Sequence, residues 1–409
     1  MKCRHCHTPL NLTFLDLGSA PPSNAYLSAS ALRAAEVWYP LRLLVCQACW
    51  LVQTEDYAGR DTFFSEDYAY FSSFTSSWLK HSEAYVQAMQ QRLGLGAGSM
   101  VVEIAANDGY LLQYVKQRGI PCYGVEPTTS TAQAARAKGI DMVEAFFGRE
   151  LAAQLVAQGR QADLTAANNV LAHVPDINDF VGGFALLLKD DGVATFEFPH
   201  LLRMVQNNQF DTAYHEHYSY LSLGAVQRVF QANGLAVFDV QELPTHGGSL
   251  RVFAQRQDTG RRPVLAAVGE LLQLEAQAGM AGPAFYAHFQ TQALGVKNDL
   301  LAFLLEAKRQ GKKLGAYGAA AKGNTLLNFA GVRPDLLPYV VDLNPAKQGK
   351  FMPGSRIPIV APAHLLADRT DWVLILPWNL RDEVQQQLAE IKAWGGKFVT
   401  AVPKLEVLG

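Results

Sequence analysis

Between residues 210 and 218 the chain reads Phe-Asp-Thr-Ala-Tyr214-His215-Glu216-His217-Tyr218. Two imidazoles, a carboxylate and two phenols in five positions are expensive to bury without purpose. Histidine titrates near neutral pH, so the run reads first as acid–base machinery. A hydrated surface loop has the same composition. A metal site on His215 and His217 would lack both the HExxH spacing and a third ligand. Two further clusters offer related groups. Asn168-Asn169 precedes His173, which could instead cap a helix. Tyr68-Ala-Tyr70-Phe-Ser72-Ser73 is rich in hydroxyls, although Tyr68 and Tyr70 could also be packing aromatics.

The cysteines make a separate pattern. Cys3 with Cys6, and Cys46 with Cys49, form two CxxC pairs among five cysteines. Each spacing turns two sulfurs toward one point, and two such knuckles supply the four thiolates of a structural zinc. A redox dithiol would sit in a thioredoxin-like βαβ unit, and neither pair does. A four-cysteine site is closed to substrate. It therefore staples an N-terminal module that lacks a core of its own, with a short helix expected at 29–37. Cys122 lies in an apolar run and reads as packing.

The elements that must position these groups begin at Met100. Strands are expected at 100–105, 122–126, 142–145, 163–167 and 193–198, with helices between them. A further helix at 223–232 and strands at 235–242 and 249–256 follow. Short apolar strands alternating with helices make a parallel sheet covered on both faces, which binds ligands at the carboxyl ends of its strands. The first turn reads Glu103-Ile-Ala105-Ala-Asn107-Asp-Gly109, and Glu126 ends the second strand. An acid there can accept from both hydroxyls of a ribose. Ala105 and Asn107 stand where the first two glycines of GxGxxG would be, which disfavours a pyrophosphate. S-adenosylmethionine, with a ribose and no phosphate, suits the turn. The closing hairpin matches the seven-stranded methyltransferase arrangement. The tyrosine–histidine insertion follows the fifth strand and should overhang this cofactor.

Beyond Arg256, helices are expected at 264–278 and 284–310, with Leu300, Leu301, Phe303, Leu304 and Leu305 as a buried stripe. Strands at 313–317, 339–342, 357–360, 372–376 and 398–402, and a helix at 381–393, give a second Rossmann-like unit. Its turn Gly318-Ala-Ala-Ala-Lys322-Gly-Asn324 admits NAD with Asp342 on the ribose, a sugar-nucleotide diphosphate on Lys322, or a degenerate structural repeat.

The 409 residues thus divide as a zinc module (1–66), a central α/β domain (67–256) and a C-terminal α/β domain (257–409). With 35 basic against 37 acidic residues the formal charge is -2, which disfavours nucleic acid and anionic membranes as partners. The sequence shows no membrane span and no secretory leader, so the expected compartment is the cytoplasm. It leaves the oligomeric state open and is compatible with a monomer.

In order along the chain, the paired CxxC motifs are followed by Tyr68-Ala-Tyr-Phe-Ser-Ser, Val102-Glu-Ile-Ala-Ala-Asn-Asp-Gly-Tyr-Leu-Leu and Asn169-Val-Leu-Ala-His-Val. Tyr214-His-Glu-His, His246-Gly-Gly-Ser-Leu-Arg, Tyr317-Gly-Ala-Ala-Ala-Lys-Gly-Asn-Thr and Val341-Asp-Leu-Asn-Pro-Ala-Lys-Gln-Gly complete the series. Over nearly its whole length the sequence resembles the nucleotide-sugar C-methyltransferases, and most of all those acting at C3 of TDP-linked 4-keto-6-deoxysugars. Ala106 departs from the serine more usual there. The resemblance implies a zinc domain, an S-adenosylmethionine domain and a C-terminal sugar-nucleotide domain. It implies catalytic positions at Tyr68, His173, Tyr214, Glu216 and His217, with His217 read as the base that takes the C3 proton. Cofactor positions are expected at Glu103, Ala105, Asn107, Gly109, Tyr110, Glu126, Phe146, Phe147 and Asn168. Substrate positions are expected at Lys322, Asn324 and His246. An NAD-dependent sugar oxidoreductase is the competing activity.

Overall fold

A computed structural model of the chain describes residues 1–57 and 71–408. Phe14, Leu15 and Leu17 are buried along the first strand, β1 (Leu12–Ala20). β1 pairs antiparallel with β2 (Tyr39–Val45), and β2 with β3 (Val52–Thr54). This small sheet cannot enclose a core. Its apolar face lies instead against helix Phe289–Arg309, where Phe14 stacks on Phe289 at 4.7 Å. The helix expected at 29–37 is reduced to one 3-10 turn, Ala31–Arg33, none of whose residues is buried. Without an apolar face to pack, so short a segment has nothing to hold a helix.

Helix Ser76–Leu93 leads into the central domain. Its strands are β4 (Val101–Ile104), β5 (Cys122–Val125), β6 (Asp141–Val143), β7 (Ala162–Asn168) and β8 (Leu188–Pro199). The two-residue β9 (Ser219–Tyr220) leaves this domain and pairs with β3 of the zinc module. β10 (Leu235–Leu243) and β11 (Ser249–Arg256) form the closing hairpin. The order across the sheet is β6-β5-β4-β7-β8-β11-β10, with the first five parallel and β11 antiparallel to both neighbours. That is the seven-stranded arrangement expected from the pattern. β5 closes tightly on the first turn: a Cβ at Gly124 would come 2.6 Å from Ala106 Cβ. Cys122 is partly buried against the helix Leu112–Gln117 and serves packing.

The C-terminal sheet comprises β12 (Leu314–Tyr317), β13 (Val340–Val341), β14 (Ile359–Val360), β15 (Trp372–Ile375), β16 (Lys397–Thr400) and β17 (Glu406–Leu408). Its order is β14-β13-β12-β15-β16-β17, and only β17 is antiparallel. Helix Ala321–Ala330 follows β12, as in a Rossmann-like unit. Two expectations need correction. The buried stripe on Phe289–Arg309 runs through Phe289, Ala293, Val296, Leu300, Leu304 and Ala307; of the expected residues Leu300 and Leu304 are fully buried, Leu301 and Phe303 only partly, and Leu305 is 44% exposed. The helix expected at 381–393 ends at Gln387 and continues as a 3-10 segment, Ala389–Trp394. Among the described residues no helix is long and apolar enough to cross a membrane.

Candidate active site and zinc site

The four cysteine sulfurs lie within 4.8 Å of one another. Three of their separations are 3.6 Å (Cys3–Cys49), 3.4 Å (Cys6–Cys46) and 3.7 Å (Cys6–Cys49). A tetrahedron with Zn–S near 2.3 Å puts its sulfurs about 3.8 Å apart, so the set fits zinc. The two knuckles are built alike. The residue after each second cysteine turns left-handed, His7 at φ 61° and Trp50 at φ 61°. Its amide donates back to the first cysteine's carbonyl, His7 to Cys3 at 3.0 Å and Trp50 to Cys46 at 2.8 Å. His5 is turned away, its Nδ1 2.8 Å from Asn178.

At the carboxyl ends of β4, β5, β7 and β8 lies a cavity of about 390 Å³. That volume is typical of a small-molecule site. Ala105, Asn107, Tyr110, Glu126, Phe146, Phe147 and Asn168 all line it. The backbone is strained here. Ala105 (φ 57°), Asn107 (φ 50°), Asn169 (φ 54°) and His246 (φ 54°) all occupy the left-handed region and all line the cavity. Such strain costs about 1–3 kcal/mol each and collects at functional turns. The missing glycines of the first turn are thus replaced by residues held in the conformation glycine would take. Gly109 (φ 74°) makes the turn from behind, where an added Cβ would come 2.4 Å from Ile140 Cδ1. Glu126 accepts the amides of Asn107 (3.0 Å) and Thr128 (2.9 Å), which fixes its carboxylate at the cavity wall. Burial raises its pKa despite those bonds. Glu103 is fully buried and does not line the cavity, and burial drives its carboxyl well above the usual range. Phe147 packs edge-on against Phe180 and Phe184, while Phe146 is 41% exposed.

The same cavity is lined by His173, Tyr214, Glu216, His217, His246 and Lys322. His217 Nδ1 lies 2.9 Å from the Thr212 carbonyl, which can only accept. Nδ1 therefore carries the proton, and Nε2 faces the Tyr214 hydroxyl at 2.7 Å as an acceptor. The His173 ring meets His217 edge to face at 4.5 Å. Burial lowers all three imidazoles, His217 well below its ordinary value and His173 and His246 to about 4, so each is neutral at cellular pH. Glu216 behaves oppositely. Burial raises its carboxyl to about 7, and Asn24 Nδ2 donates to both of its oxygens at 2.9 and 2.8 Å. His215 is outside this group: its Nε2 lies 3.2 Å from the Tyr39 carbonyl. The two histidines diverge, and the four cysteines form the only metal-ligating cluster among the described residues. Tyr68 and Tyr70 lie outside the described residues.

From the C-terminal domain, Lys322 reaches the cavity with its ammonium 4.5 Å over the Trp378 ring and 2.8 Å from Asn379 Oδ1. Asn324 does not line the cavity. It is fully buried, with its amide donated to the Ser23 carbonyl at 2.6 Å. Asp342 is occupied by the turn itself, accepting the Ala319 amide at 2.8 Å. Sequence reasoning missed Asn24, Trp78 and Lys347, all of which line the cavity. Trp78 sits edge-on to His246 at 5.4 Å. Asn24 belongs to the turn-rich Pro21-Pro22-Ser23-Asn24, where Asn has an ordinary turn role, so nothing local signals its contact with Glu216.

Three family models match the chain: a putative zinc binding domain over residues 3–64, a methyltransferase domain over 78–240, and a C-methyltransferase C-terminal domain over 244–403. The chain is 33% identical over 407 residues to C-methyltransferase NovU of Streptomyces niveus, covering 100% of this chain and 96% of that protein. Among solved structures, magnesium protoporphyrin IX methyltransferase from Synechocystis PCC 6803 with bound S-adenosylhomocysteine matches at 16% identity and a TM-score of 0.38. It covers 48% of this chain and 97% of its own. The Burkholderia thailandensis 1,6-didemethyltoxoflavin-N1-methyltransferase matches at 16% identity and 0.37, covering 51% and 96%. At those scores the methyltransferase fold rests on the strand order itself.

Proposed function

The chain belongs to the zinc-containing, S-adenosylmethionine-dependent C-methyltransferases, and we propose that it methylates C3 of a TDP-linked 4-keto-6-deoxysugar. The observation that carries this reading is the buried, neutral His217 imidazole, paired with the Tyr214 hydroxyl at 2.7 Å on the wall of the cavity that Glu126 and Asn107 also line. A sugar C–H does not react with a methyl donor unless a neighbouring ketone lets the resulting carbanion delocalise as an enolate. A base, a donor for the enolate oxygen and a held substrate are the three requirements.

His217 is the base. Tyr214 Oη occupies Nε2, so the proton reaches it through the tyrosine: as the C3 proton passes to Oη, the hydroxyl's own proton passes to Nε2. The Thr212 carbonyl on Nδ1–H then steadies the imidazolium. His173, beside His217, and Tyr68 are the donors assigned to the developing C4 oxyanion. Glu216, held by Asn24, orients the substrate. Lys322 meets the diphosphate, and His246 contacts the sugar nucleotide from the hairpin side. Glu126 accepts the ribose hydroxyls of S-adenosylmethionine, and Asn168 lies toward its methionine end. That cofactor supplies the electrophilic methyl group. Reduced thiols around zinc suit a cytoplasmic location.

The test is incubation with TDP-4-keto-6-deoxysugars in deuterated water, with and without S-adenosylhomocysteine, read by mass. Wild type exchanges the C3 hydrogen or replaces it with methyl. His217→Asn does neither while still binding both ligands, and Tyr214→Phe is impaired in exchange. Near-full methylation by His217→Asn would overturn the base assignment. Absence of methylation on every keto sugar would overturn the substrate class.

A further inference from the structure

The first zinc knuckle carries a buried cation that takes no part in holding metal. Arg4 lies between Cys3 and Cys6, and its side chain is only 4% exposed. Its Nε donates to the Tyr218 carbonyl at 3.2 Å and its Nη1 to the Pro175 carbonyl at 3.1 Å. Nη2 donates to the Thr54 carbonyl at 2.8 Å and to Asp56 at 2.6 Å. The guanidinium also lies 4.9 Å from the centre of the Tyr218 ring. Behind it, the Arg4 amide donates to Gln53 Oε1 at 2.9 Å, and Gln53 Nε2 lies 3.3 Å from Cys3 Sγ.

The three carbonyls come from three separate segments, and two of those segments carry the histidine pair. Tyr218 follows His217, and Pro175 lies two residues beyond His173. Carbonyls cannot bond to one another, so only a multivalent donor can gather them. A guanidinium offers five N–H groups in a rigid fork, whereas an ammonium is a point charge with three. The same neighbourhood is tied by the Tyr218 amide on the Ala172 carbonyl at 2.7 Å and by the Thr54 hydroxyl on the His217 carbonyl.

We propose that Arg4 is a positioning residue for proton transfer: anchored by the zinc knuckle, its guanidinium sets the spacing of the His173 and His217 segments. The inference rests on the roles given to those histidines above. The zinc site thereby acts on the reaction through geometry, without touching substrate. A displacement of 1 Å between reacting groups can cost about 100-fold in rate.

The experiment uses the full zinc-loaded chain as wild type, Arg4→Lys and Arg4→Ala. On a keto-sugar nucleotide that wild type methylates, Arg4→Ala should lose roughly 10–100-fold in kcat. KM for both substrates and a zinc content of one per chain should be retained. Added guanidinium should restore part of the rate, and Arg4→Lys should fall between the two. Histidine-selective 15N spectra give a second readout that needs no substrate. The His217 imidazole signal, identified by its loss in His217→Asn, should shift in Arg4→Lys. If wild type methylates no keto sugar, the functional reading fails, and the spectra still decide whether Arg4 sets the His217 environment. If Arg4→Ala does not fold, Arg4→Lys decides. The proposal is overturned by a folded, zinc-bound Arg4→Lys with unchanged kcat and unchanged imidazole signals. It is equally overturned if lost activity tracks lost zinc and guanidinium restores none of it.

Discussion

Glu216→Gln isolates the cost of placing a carboxyl between the two histidines of the insertion. Glu216 is 1% exposed, and burial carries its pKa from 4.5 to about 7. In the unfolded chain the same carboxyl ionises near its ordinary value. The folded protein therefore holds a proton that the unfolded chain releases as pH rises from about 4.5 to about 7. The resulting penalty is absent below the unfolded pKa and grows through this window. It is fully present above about pH 7. The interval from 4.5 to about 7, at 1.36 kcal/mol per pH unit, makes it about 3 kcal/mol. Glutamine keeps an oxygen for Asn24 Nδ2 and has nothing to ionise. The stability of Glu216→Gln relative to wild type should thus rise by about 3 kcal/mol between pH 4.5 and pH 8, and stay flat above. Urea unfolding of both proteins across that range reads the difference, and titrations common to both cancel. A multidomain chain need not unfold in one step, so the comparison belongs to the transition that involves the insertion. Asn24→Ala should move the midpoint above 7, because the Asn24 bonds are what lower it. A gap that is constant from pH 5 to pH 8.5 would refute the reasoning.

Two further outcomes follow from the cofactor turn and the zinc site. Glu126→Ala should weaken S-adenosylmethionine binding by about 1.5–3 kcal/mol through the lost ribose contact. It also strips the Asn107 and Thr128 amides of their acceptor, so Glu126→Gln should lose less; unchanged calorimetric affinity in Glu126→Ala would exclude the contact. Metal analysis should give one zinc per chain. Cys46→Ser should lower it and destabilise β1–β3, while a disulfide between the pairs in reduced protein would exclude the site.

What the sequence made legible is what short-range pattern encodes. The strand–turn–helix alternation, the CxxC knuckles and the hairpin at 235–256 each depend on neighbours a few residues apart, and each stands where it was expected. Asn24, Arg4 and Trp78 had no such signal. Asn24 meets Glu216 across 192 positions, and Arg4 meets Tyr218 across 214. Their neighbours in sequence give them ordinary roles as a turn residue and a surface cation. Only the fold supplies the others. The same limit explains β9: Ser219–Tyr220 is too short to read as a strand, and it forms because β3 offers it an edge.

That edge gives the zinc module a physical purpose. A four-cysteine site does no chemistry on substrate, and the sheet it staples has no core of its own. Yet β3 pairs with β9 immediately after His217, the Thr54 hydroxyl bonds the His217 carbonyl, and Asn24 holds Glu216. The Ser23 carbonyl and the Tyr26 hydroxyl meanwhile bond Asn324 and Ala319 of the C-terminal domain. The insertion that bears His217 therefore has the methyltransferase sheet on one side and the zinc module on the other. Phe210, Ala213 and Tyr220 anchor the loop in the core, but its buried imidazoles and carboxyl groups are costly to bury and need partners that hold them. Bracing it from a metal-stapled sheet fixes its groups without adding bulk to the cavity, and that places the metal outside the chemistry it supports.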